Sequence, residues 1–165
     1  MKREKIQILL ARCTSLADIK TAAERSRNMA AVKGKDTKPE IYIRSLLFAR
    51  GYRFRKNSTK VPGHPDIWLR KYNTAIFING CFWHRHPGCR FAYTPKSRVE
   101  FWQNKFSANV TRDSIVRQQL MERNIKCLVL WECTIRKMQK DPAVMQKVVT
   151  CCEECLHSEE RSLEI

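Results

Sequence analysis

The sequence predicts a single α/β domain, with one central mixed sheet flanked by helices. Residues 74–78 (TAIFI) and 127–131 (CLVLW) are apolar runs with the length and composition of buried strands. Helical patterns precede, separate and follow these two runs, an order typical of one sheet covered by helices. The length of 165 residues fits one such domain with a sizeable core.

The first helix is predicted to begin at Thr37. Thr37 and Glu40 have the spacing of a capping box, Pro39 is tolerated in a first turn, and Gly51 follows as a stop signal. Three short segments come next, in order a strand, a turn and a second strand: residues 52–55, 61–65 and 66–69.

The second half of the chain is predicted to contain two helices around the second apolar strand. A second capping box, Ser97 to Glu100, opens a long helix that ends near Arg123, and a final helix is predicted from about Pro142 to Leu156. We expect three regions along the chain: an N-terminal extension with at most a weak helix, the domain itself, and an unstructured acidic tail, at residues 1–21, 22–150 and 151–165.

The chain is strongly basic, and its charge is unevenly distributed. It has 32 Lys and Arg against 16 Asp and Glu, a net charge of +16. The last fifteen residues carry −4, so the preceding 150 carry +20. Such a field favours a polyanionic partner, nucleic acid above all, the alternative being a merely soluble basic protein. No apolar run approaches the ~20 residues that span a bilayer, and we expect no export signal, hence no membrane association and a cytoplasmic location.

A cysteine and histidine cluster predicts a structural zinc site. Cys81, His86 and Cys89 lie just past the end of one buried strand, and Zn²⁺ prefers thiolate and imidazole ligands. Cys133 lies just past the end of the other strand and is the candidate fourth ligand, whereas Cys127 lies inside that strand and fits the core. The alternative is one buried thiol and two incidental ones.

Two acidic residues are candidates for catalysis. Asp66 follows Pro65 at the start of a predicted strand, a place from which carboxylates hold Mg²⁺ near a phosphate. Glu40 lies on the preceding helix. Each has a structural alternative, because a Pro-Asp pair often makes a turn and Glu40 completes the capping box.

His84 and three aromatic residues complete the candidate site. If His86 binds the metal, His84 is available for acid–base chemistry near neutral pH, although the two histidines are interchangeable on spacing alone. Phe82, Trp83 and Trp102 have no core periodicity to explain them, and apolar side chains of this kind can wedge between DNA bases. A small satellite core that packs over the loop with Cys81, His86 and Cys89 explains them equally well.

The order of seven motifs along the chain is the most specific signal in the sequence. These motifs are Arg25-Ser26-Arg27-Asn28-Met29, Asp36-Thr37-x2-Glu40, Pro62-Gly63-His64-Pro65-Asp66, Gly80-Cys81-Phe82-Trp83-His84-x-His86, Glu100-Phe101-Trp102-x2-Lys105, Asn109-Val110-x-Arg112-Asp113 and Trp131-Glu132-Cys133. Together they closely resemble the very-short-patch repair (Vsr) mismatch endonuclease family, over roughly residues 22–140.

The resemblance implies a restriction-endonuclease-like fold and an enzyme that cuts one DNA strand 5′ of the thymine in a T:G mismatch, the product of 5-methylcytosine deamination. The implied partners are mismatched double-stranded DNA and, functionally, a cytosine-5 DNA methyltransferase. The enzyme is expected to act as a monomer on DNA, in a bacterial cytoplasm and associated with the nucleoid. The rivals are a nuclease of the same fold that cuts other DNA and a non-catalytic zinc module that binds DNA.

The resemblance also implies a role for each site residue. Asp66 corresponds to the Mg²⁺-binding aspartate, with the main-chain carbonyl of Ile78 completing that site. His84 corresponds to the general base, and Glu40 and Asp113 to supporting acids. The implied zinc ligands are Cys81, His86, Cys89 and Cys133, and the implied intercalating aromatics are Phe82, Trp83 and Trp102.

Asn79 departs from the family pattern, because some members have a histidine at this place. An Asn side chain can hydrogen-bond a phosphate or a water molecule, but it cannot take up a proton at pH 7. The sequence therefore predicts a mechanism with one histidine, in which Asn79 has a supporting role.

Overall fold

A computed structural model describes residues 21–165. The predicted weak helix in the N-terminal extension lies outside the described residues. Residues 21–33 belong to a unit distinct from Gly34–Ile165, and they contain helix α1 (Ala22–Ala30), which the sequence did not predict. Thr21 and Glu24 form a complete capping box at its start.

Residues Gly34–Ile165 form one unit, an α/β domain, whereas the sequence analysis expected the domain at residues 22–150. Its elements, in chain order, are α2 (Lys38–Ala49), β1 (Ile67–Leu69), a 3₁₀ turn (Arg70–Tyr72), β2 (Thr74–Asn79), α3 (Val99–Glu122), β3 (Lys126–Trp131), α4 (Glu132–Met138), α5 (Pro142–His157) and β4 (Ser162–Glu164). Of the described helices, none is long and apolar enough to cross a membrane.

The sheet is mixed and has the strand order β1-β2-β3-β4. β1 is antiparallel to β2, whereas β2, β3 and β4 run parallel. The two apolar runs found in the sequence are the two central strands, because strands covered on both faces must be apolar throughout. Asn79 is paired with Trp131, so β2 and β3 end at the same edge of the sheet.

Helices cover both faces of the sheet. Alternate residues of β2 and β3, such as Ile76 and Leu128, pack with α2, α4 and α5 in one core. Their neighbours, such as Ala75 and Val129, pack with Leu120 of α3 in the other. Cys127 lies in this second core with 5% exposure, as its position in the strand predicts.

The expectation of an unstructured tail at residues 151–165 is wrong. Cys152 and Cys155 are buried on the inner face of α5. Beyond the helix, β4 pairs with β3 in parallel, and the Ile165 carbonyl accepts a hydrogen bond from the Trp131 N–H. The acidic composition concealed this short strand, in which Ser162 and Glu164 are exposed while Leu163 packs inward.

Three local predictions also need correction. Residues 52–55 form no strand; only Arg55 pairs with Trp68, in an isolated bridge. The helix predicted from Thr37 is present, but the Thr37 hydroxyl donates to Glu40 instead of capping the helix. The second capping box is wrong, because the N-cap of α3 is Arg98, whose backbone lies in the left-handed region and whose side chain makes no cap hydrogen bond.

Candidate active site and metal centre

The parallel pairing of β2 and β3 positions the metal-type cluster. Cys81 follows β2 by two residues and Cys133 follows β3 by two residues. Since these strands end side by side, the two cysteines are brought together although they are 52 residues apart in the sequence. The loop after β2 supplies His86 and Cys89 to the same place.

The ligand atoms of these four residues all lie within 4.8 Å of one another. The His86 Nδ1 is 3.6 Å from the Cys81 Sγ and 3.3 Å from the Cys133 Sγ. Zn²⁺ binds thiolates at about 2.3 Å and imidazole at about 2.0–2.1 Å in a tetrahedron, and this donor set and spacing fit such an ion. The structure thus brings together all four residues that the sequence analysis nominated, with His86 rather than His84 in the cluster.

The loop after β2 that carries Cys81, His86 and Cys89, residues 80–89 and here called the metal loop, is folded tightly around this cluster. The His86 N–H donates to the Cys81 carbonyl (3.1 Å), and the Cys89 N–H donates to the His86 carbonyl (3.3 Å). The His86 ring stacks on Trp131 of β3, with ring centroids 4.1 Å apart and planes 8° from parallel. These contacts fix the ring orientation of His86 and direct its Nδ1 at the sulfurs.

The electrostatics of the cluster suit a cation. Burial raises the pKa of Cys81 to about 12 and lowers the pKa of His86. Burial also favours a higher pKa for Cys89. Hydrogen bonds, of which the one from the Phe91 backbone has the largest effect, outweigh burial and lower the pKa of Cys89 below its ordinary value. A bound cation would compensate the charge of deprotonated thiols in this buried place.

Asp66 lies on the other side of the β2 end and immediately precedes β1. Its Oδ2 accepts a hydrogen bond from the Ile78 N–H at 2.7 Å, which places the carboxylate beside the Ile78 backbone. Burial raises the pKa of Asp66 to about 6; Glu40 raises it further, while the Ile78 N–H, Arg44 and His84 lower it. Glu40, Arg44 and His84 are therefore close enough to Asp66 to act on its charge.

Glu40 is buried and held by a polar network at the start of α2. Its Oε1 accepts the Thr37 hydroxyl at 2.7 Å, and its Oε2 accepts the Asp36 N–H at 2.9 Å. Arg44, one turn further along α2, donates to the Glu40 Oε2 at 2.8 Å and also pairs with the Asp36 carboxylate. The buried carboxylate is thereby charge-compensated and fixed in orientation.

Arg44 was not singled out in the sequence, although a signal exists. Glu40 and Arg44 are four residues apart, the spacing at which opposite charges meet on one helix face. The burial of the pair could not be read from this spacing, because it depends on how α2 packs against the sheet.

His84 and Asp113 form a direct pair. The His84 Nδ1 is 2.5 Å from the Asp113 Oδ2, and both side chains are about one-fifth exposed. Because an ionised carboxylate only accepts hydrogen bonds, this contact places a proton on Nδ1 and leaves the lone pair of the neutral ring on Nε2. The pair joins the metal loop to the middle of α3.

α3 also contacts this loop one helical turn before Asp113. The buried Asn109 donates from its Nδ2 to the Trp83 carbonyl at 3.0 Å. Asn109 and Asp113 are four residues apart and so lie on one face of the helix. The Trp83 and His84 N–H groups in turn donate to the Gly80 carbonyl, which turns the chain sharply after β2. Asn79, the last residue of β2, is buried beneath this turn at 7% exposure.

The three nominated aromatic residues meet in one cluster. The Phe82 ring lies 5.1 Å from Trp83 and 5.4 Å from Trp102, measured between centroids. Phe106, which is buried, and Tyr93, which is 63% exposed, contact the same Phe82 ring. Phe82, Trp83 and Trp102 remain partly exposed, so the cluster is a packed unit with an accessible surface.

A mixed sheet with Asp66 and a Cys/His cluster at its strand ends and a His–Asp pair beside them, in a strongly basic chain, matches what is expected of a nuclease-type domain. Comparison with known proteins identifies the class more closely. Residues 17–90 match the family described as DNA mismatch endonuclease Vsr.

Individual relatives agree with this match. The "DNA mismatch endonuclease Vsr" of Escherichia coli K12 is 38% identical over 135 residues, which are 81% of this chain and 86% of the relative. The "Type II nicking enzyme V.NmeAIP" of Neisseria meningitidis serogroup A is 41% identical over 121 residues, 73% of this chain and 86% of the relative. The "Type II nicking enzyme V.XorIIP" of Xanthomonas oryzae pv. oryzae is 41% identical over 107 residues, 65% and 78% of the two chains.

The chain belongs to the Vsr family of DNA mismatch endonucleases. It is therefore a DNA endonuclease, and the predicted α/β fold of restriction-endonuclease type is confirmed.

Proposed function

We propose that this protein nicks one strand of duplex DNA 5′ of the thymine in a T:G mismatch, in a Mg²⁺-dependent reaction. The observations that carry the proposal are the His84–Asp113 pair and the partly buried Asp66 carboxyl at the end of β2, whose pKa is affected by the charges of Glu40 and His84, in a chain of this family. T:G mismatches arise by deamination of 5-methylcytosine, so the enzyme would be the functional companion of a cytosine-5 DNA methyltransferase.

Two metal ions with different tasks belong to the proposal. Asp66 and the main-chain carbonyl of Ile78 would hold Mg²⁺, which takes hard oxygen ligands. The half-buried Asp66 carboxyl, anchored by the Ile78 N–H, fits this use, because a cation would favour the ionised form that burial disfavours. Cys81, His86, Cys89 and Cys133 would hold a structural Zn²⁺.

His84 is the general base in this proposal. With its Nδ1 proton held by Asp113, the imidazole offers Nε2 to the attacking water and takes one proton from it. Asp113 stabilises the imidazolium that forms, and α3 keeps the pair in place. When bound, Mg²⁺ supplies electrostatic stabilisation of the charge that grows on the scissile phosphate.

Glu40 and Asn79 support this centre without transferring the proton. Glu40 has both oxygens engaged by Thr37, Asp36 and Arg44, so it acts as a fixed negative charge near Asp66. Asn79 has an amide, which has no proton-transfer capacity at pH 7. We therefore assign a single histidine, His84, to the proton transfer.

The aromatic cluster would act on the mismatch itself. Phe82, Trp83 and Trp102 share one packed group with an accessible surface, and such side chains unstack bases at a cost of roughly a few kcal/mol per step. A mispair costs less to open than a normal pair, which favours the mismatched site. The enzyme would act as a monomer, in the bacterial cytoplasm at the nucleoid.

A nicking assay on an end-labelled T:G duplex tests the proposal. The unmodified protein should cut the thymine-containing strand when Mg²⁺ is present and leave the duplex intact when it is absent. Asp66→Ala should abolish nicking while binding of the duplex persists. Nicking retained by Asp66→Ala would refute the assignment of the catalytic centre.

A further inference from the structure

An open groove of about 490 Å³ lies along α3, beside the aromatic cluster. Its polar lining consists of Arg85 and Thr94 on the loop side and of Gln103, Ser107 and Thr111 on the helix side, with Phe106 contributing an apolar surface. Among the described residues that line the groove there is no Asp or Glu. The lining therefore offers hydrogen-bond donors and one positive charge.

The helix side of the groove is a regular stripe. Gln103, Ser107 and Thr111 follow one another at intervals of four residues, so they lie along one face of α3. All three are exposed, and each presents a side-chain amide or hydroxyl group to the groove. Groups of this kind, with Arg, make most contacts to phosphate oxygens in protein–DNA complexes.

Arg85 is held in place on the loop side. Its guanidinium donates to the Tyr93 carbonyl at 3.0 Å and to the Thr94 hydroxyl at 3.2 Å, and it lies over the Phe106 ring at 4.5 Å. Arg85 lies between the candidate base His84 and the cluster residue His86. Its backbone is in the left-handed region, with a φ of 55°. The metal loop thus fixes a guanidinium at the rim of the groove, at little further cost in side-chain entropy.

The groove and the aromatic cluster share Phe106, whose ring lies 5.1 Å from Phe82. A duplex whose bases meet Phe82 carries one phosphate charge per about 1.7 Å of its axis, so its backbone must pass close to this cluster. We propose that the groove binds the sugar–phosphate backbone of the DNA substrate beside the mismatch. This inference rests on the proposed function, which places the mismatch at the aromatic cluster.

A charge-reversal series at Gln103 tests the inference. Gln103 is exposed and lies in the first half of α3, so Glu and Lys are both compatible with the fold. Gln103→Glu should raise the Kd for a T:G duplex about fivefold and lower the steepness of log Kd against log salt by about one, whereas Gln103→Lys should change both in the opposite direction. The measurement is fluorescence anisotropy at several salt concentrations without added Mg²⁺.

Gln119 provides the matched control. It is exposed on the same helix, sixteen residues from Gln103, and so lies about 24 Å away, beyond the screening length of about 8 Å at physiological salt. Gln119→Glu and Gln119→Lys should leave the Kd within twofold of the unmodified protein. An equal response at Gln119 and Gln103 would overturn the inference, as would no response at either.

A fully paired duplex separates backbone binding from base reading. A backbone contact changes the Kd of T:G and matched duplexes by the same factor, and an effect confined to the T:G duplex would overturn the inference in favour of a base contact. The proposed function is tested separately from the groove. If the protein does not nick T:G DNA but shows the Gln103 response, the groove assignment stands and the proposed function fails. If the protein nicks T:G DNA without that response, the groove assignment fails.

Discussion

Asp66 has a partly buried carboxyl group in the candidate site, and opposing effects determine its pKa. It combines burial, which raises its pKa to about 6, with a hydrogen bond from the Ile78 N–H that favours the ionised form. These two opposing effects indicate that the fold keeps the Asp66 carboxyl group in a place where it is not fully solvated. Sites that must bind a cation or a substrate often carry such a cost in stability.

This balance predicts how the free energy of unfolding depends on pH. The folded-state pKa, about 6, lies above the ordinary value of 3.8, so the folded state binds the proton more tightly. The resulting stabilisation is present below pH ~4 and is lost as the pH rises through 6, up to roughly 3 kcal/mol. Asp66→Asn removes this dependence, so its gain in stability over the unmodified protein should be about 2 kcal/mol larger at pH 7.5 than at pH 4.5.

Urea unfolding of the two proteins at both pH values, without added Mg²⁺, measures the effect. Comparison at equal pH cancels the proton dependence of the cysteine cluster, which both proteins share. A gain in stability from Asp66→Asn that is the same at pH 4.5 and 7.5 would show that the burial of Asp66 has no such energetic effect.

The His84–Asp113 pair gives a second prediction at the residue scale. Asp113→Asn can place either its amide oxygen or its NH2 group at the His84 Nδ1, and it carries no charge, so it neither enforces the tautomer with the proton on Nδ1 nor stabilises the imidazolium. The single-turnover nicking rate should therefore fall by about 10²-fold or more. The Kd for DNA should stay the same, and a rate within threefold of the original would contradict the role of this pair.

Single residues of the site were predictable to different degrees. Cys81, His86 and Cys89 follow from ligand spacing, and Cys133 from the expectation of parallel strands. Asp113 came only from the family resemblance, because nothing in its local sequence indicates that it meets His84, 29 residues away. Arg44 was missed, since its burial and its bonds to Glu40 and Asp36 are set by tertiary packing.

At the scale of elements, the metal loop closes around the cysteine cluster. The loop carries His84, Phe82 and Trp83, and its turns close on backbone hydrogen bonds next to the cluster residues. We expect the purified protein to contain one equivalent of zinc. Cys133→Ser should reduce this content and the nicking activity together, because Cys133 would be the zinc ligand that joins the loop to α4.

Cys127→Ser is the matched control for this experiment. Cys127 is buried in β3 but lies outside the cluster, so its replacement should lower stability without lowering the zinc content. Zinc is measured by atomic emission on gel-filtered protein. Full zinc content in Cys133→Ser would contradict the assignment of Cys133 as a ligand.

The strand β4 gives a further prediction at this scale. Glu164 accepts the indole N–H of the buried Trp131 at 2.8 Å and pairs with Arg117 at 3.2 Å. Glu164→Ala leaves the Trp131 donor without its acceptor and should lower the free energy of unfolding by about 1–3 kcal/mol. Glu159→Ala, on the exposed segment before β4, should change it by less than 0.5 kcal/mol, roughly the usual effect of a surface substitution. Equal effects in urea unfolding would contradict the role of β4.

The elements themselves were predicted best where burial determines composition. Both central strands and the three longest helices follow from apolar runs and helical periodicity. β4 and α4 were missed because they are short, and β4 depends for its existence on an edge of β3 that the sequence does not display. Capping predictions failed at α3, whose start is determined by the left-handed turn at Arg98.

At the scale of the whole molecule, the uneven charge has a structural explanation. The acidic C-terminal residues are not a separate tail, since Glu164 contacts Arg117 of α3 and Glu153 contacts Tyr52 and Arg50. They belong to the folded domain, and the net charge of +16 remains for interaction with DNA. In the proposed function the basic charge would provide affinity for DNA, whereas Asp66, Glu40 and the His84–Asp113 pair would provide the chemistry.

The chain is proposed to distinguish a mispair within duplex DNA and to cut one strand beside it. Single-turnover nicking of two end-labelled duplexes that differ only at one position, T:G against C:G, tests this claim in the presence of Mg²⁺. We expect a single cut 5′ of the mispaired thymine, on that strand alone, and no cut of the C:G duplex in the same time. Equal cutting of both duplexes, or cutting of both strands, would contradict it.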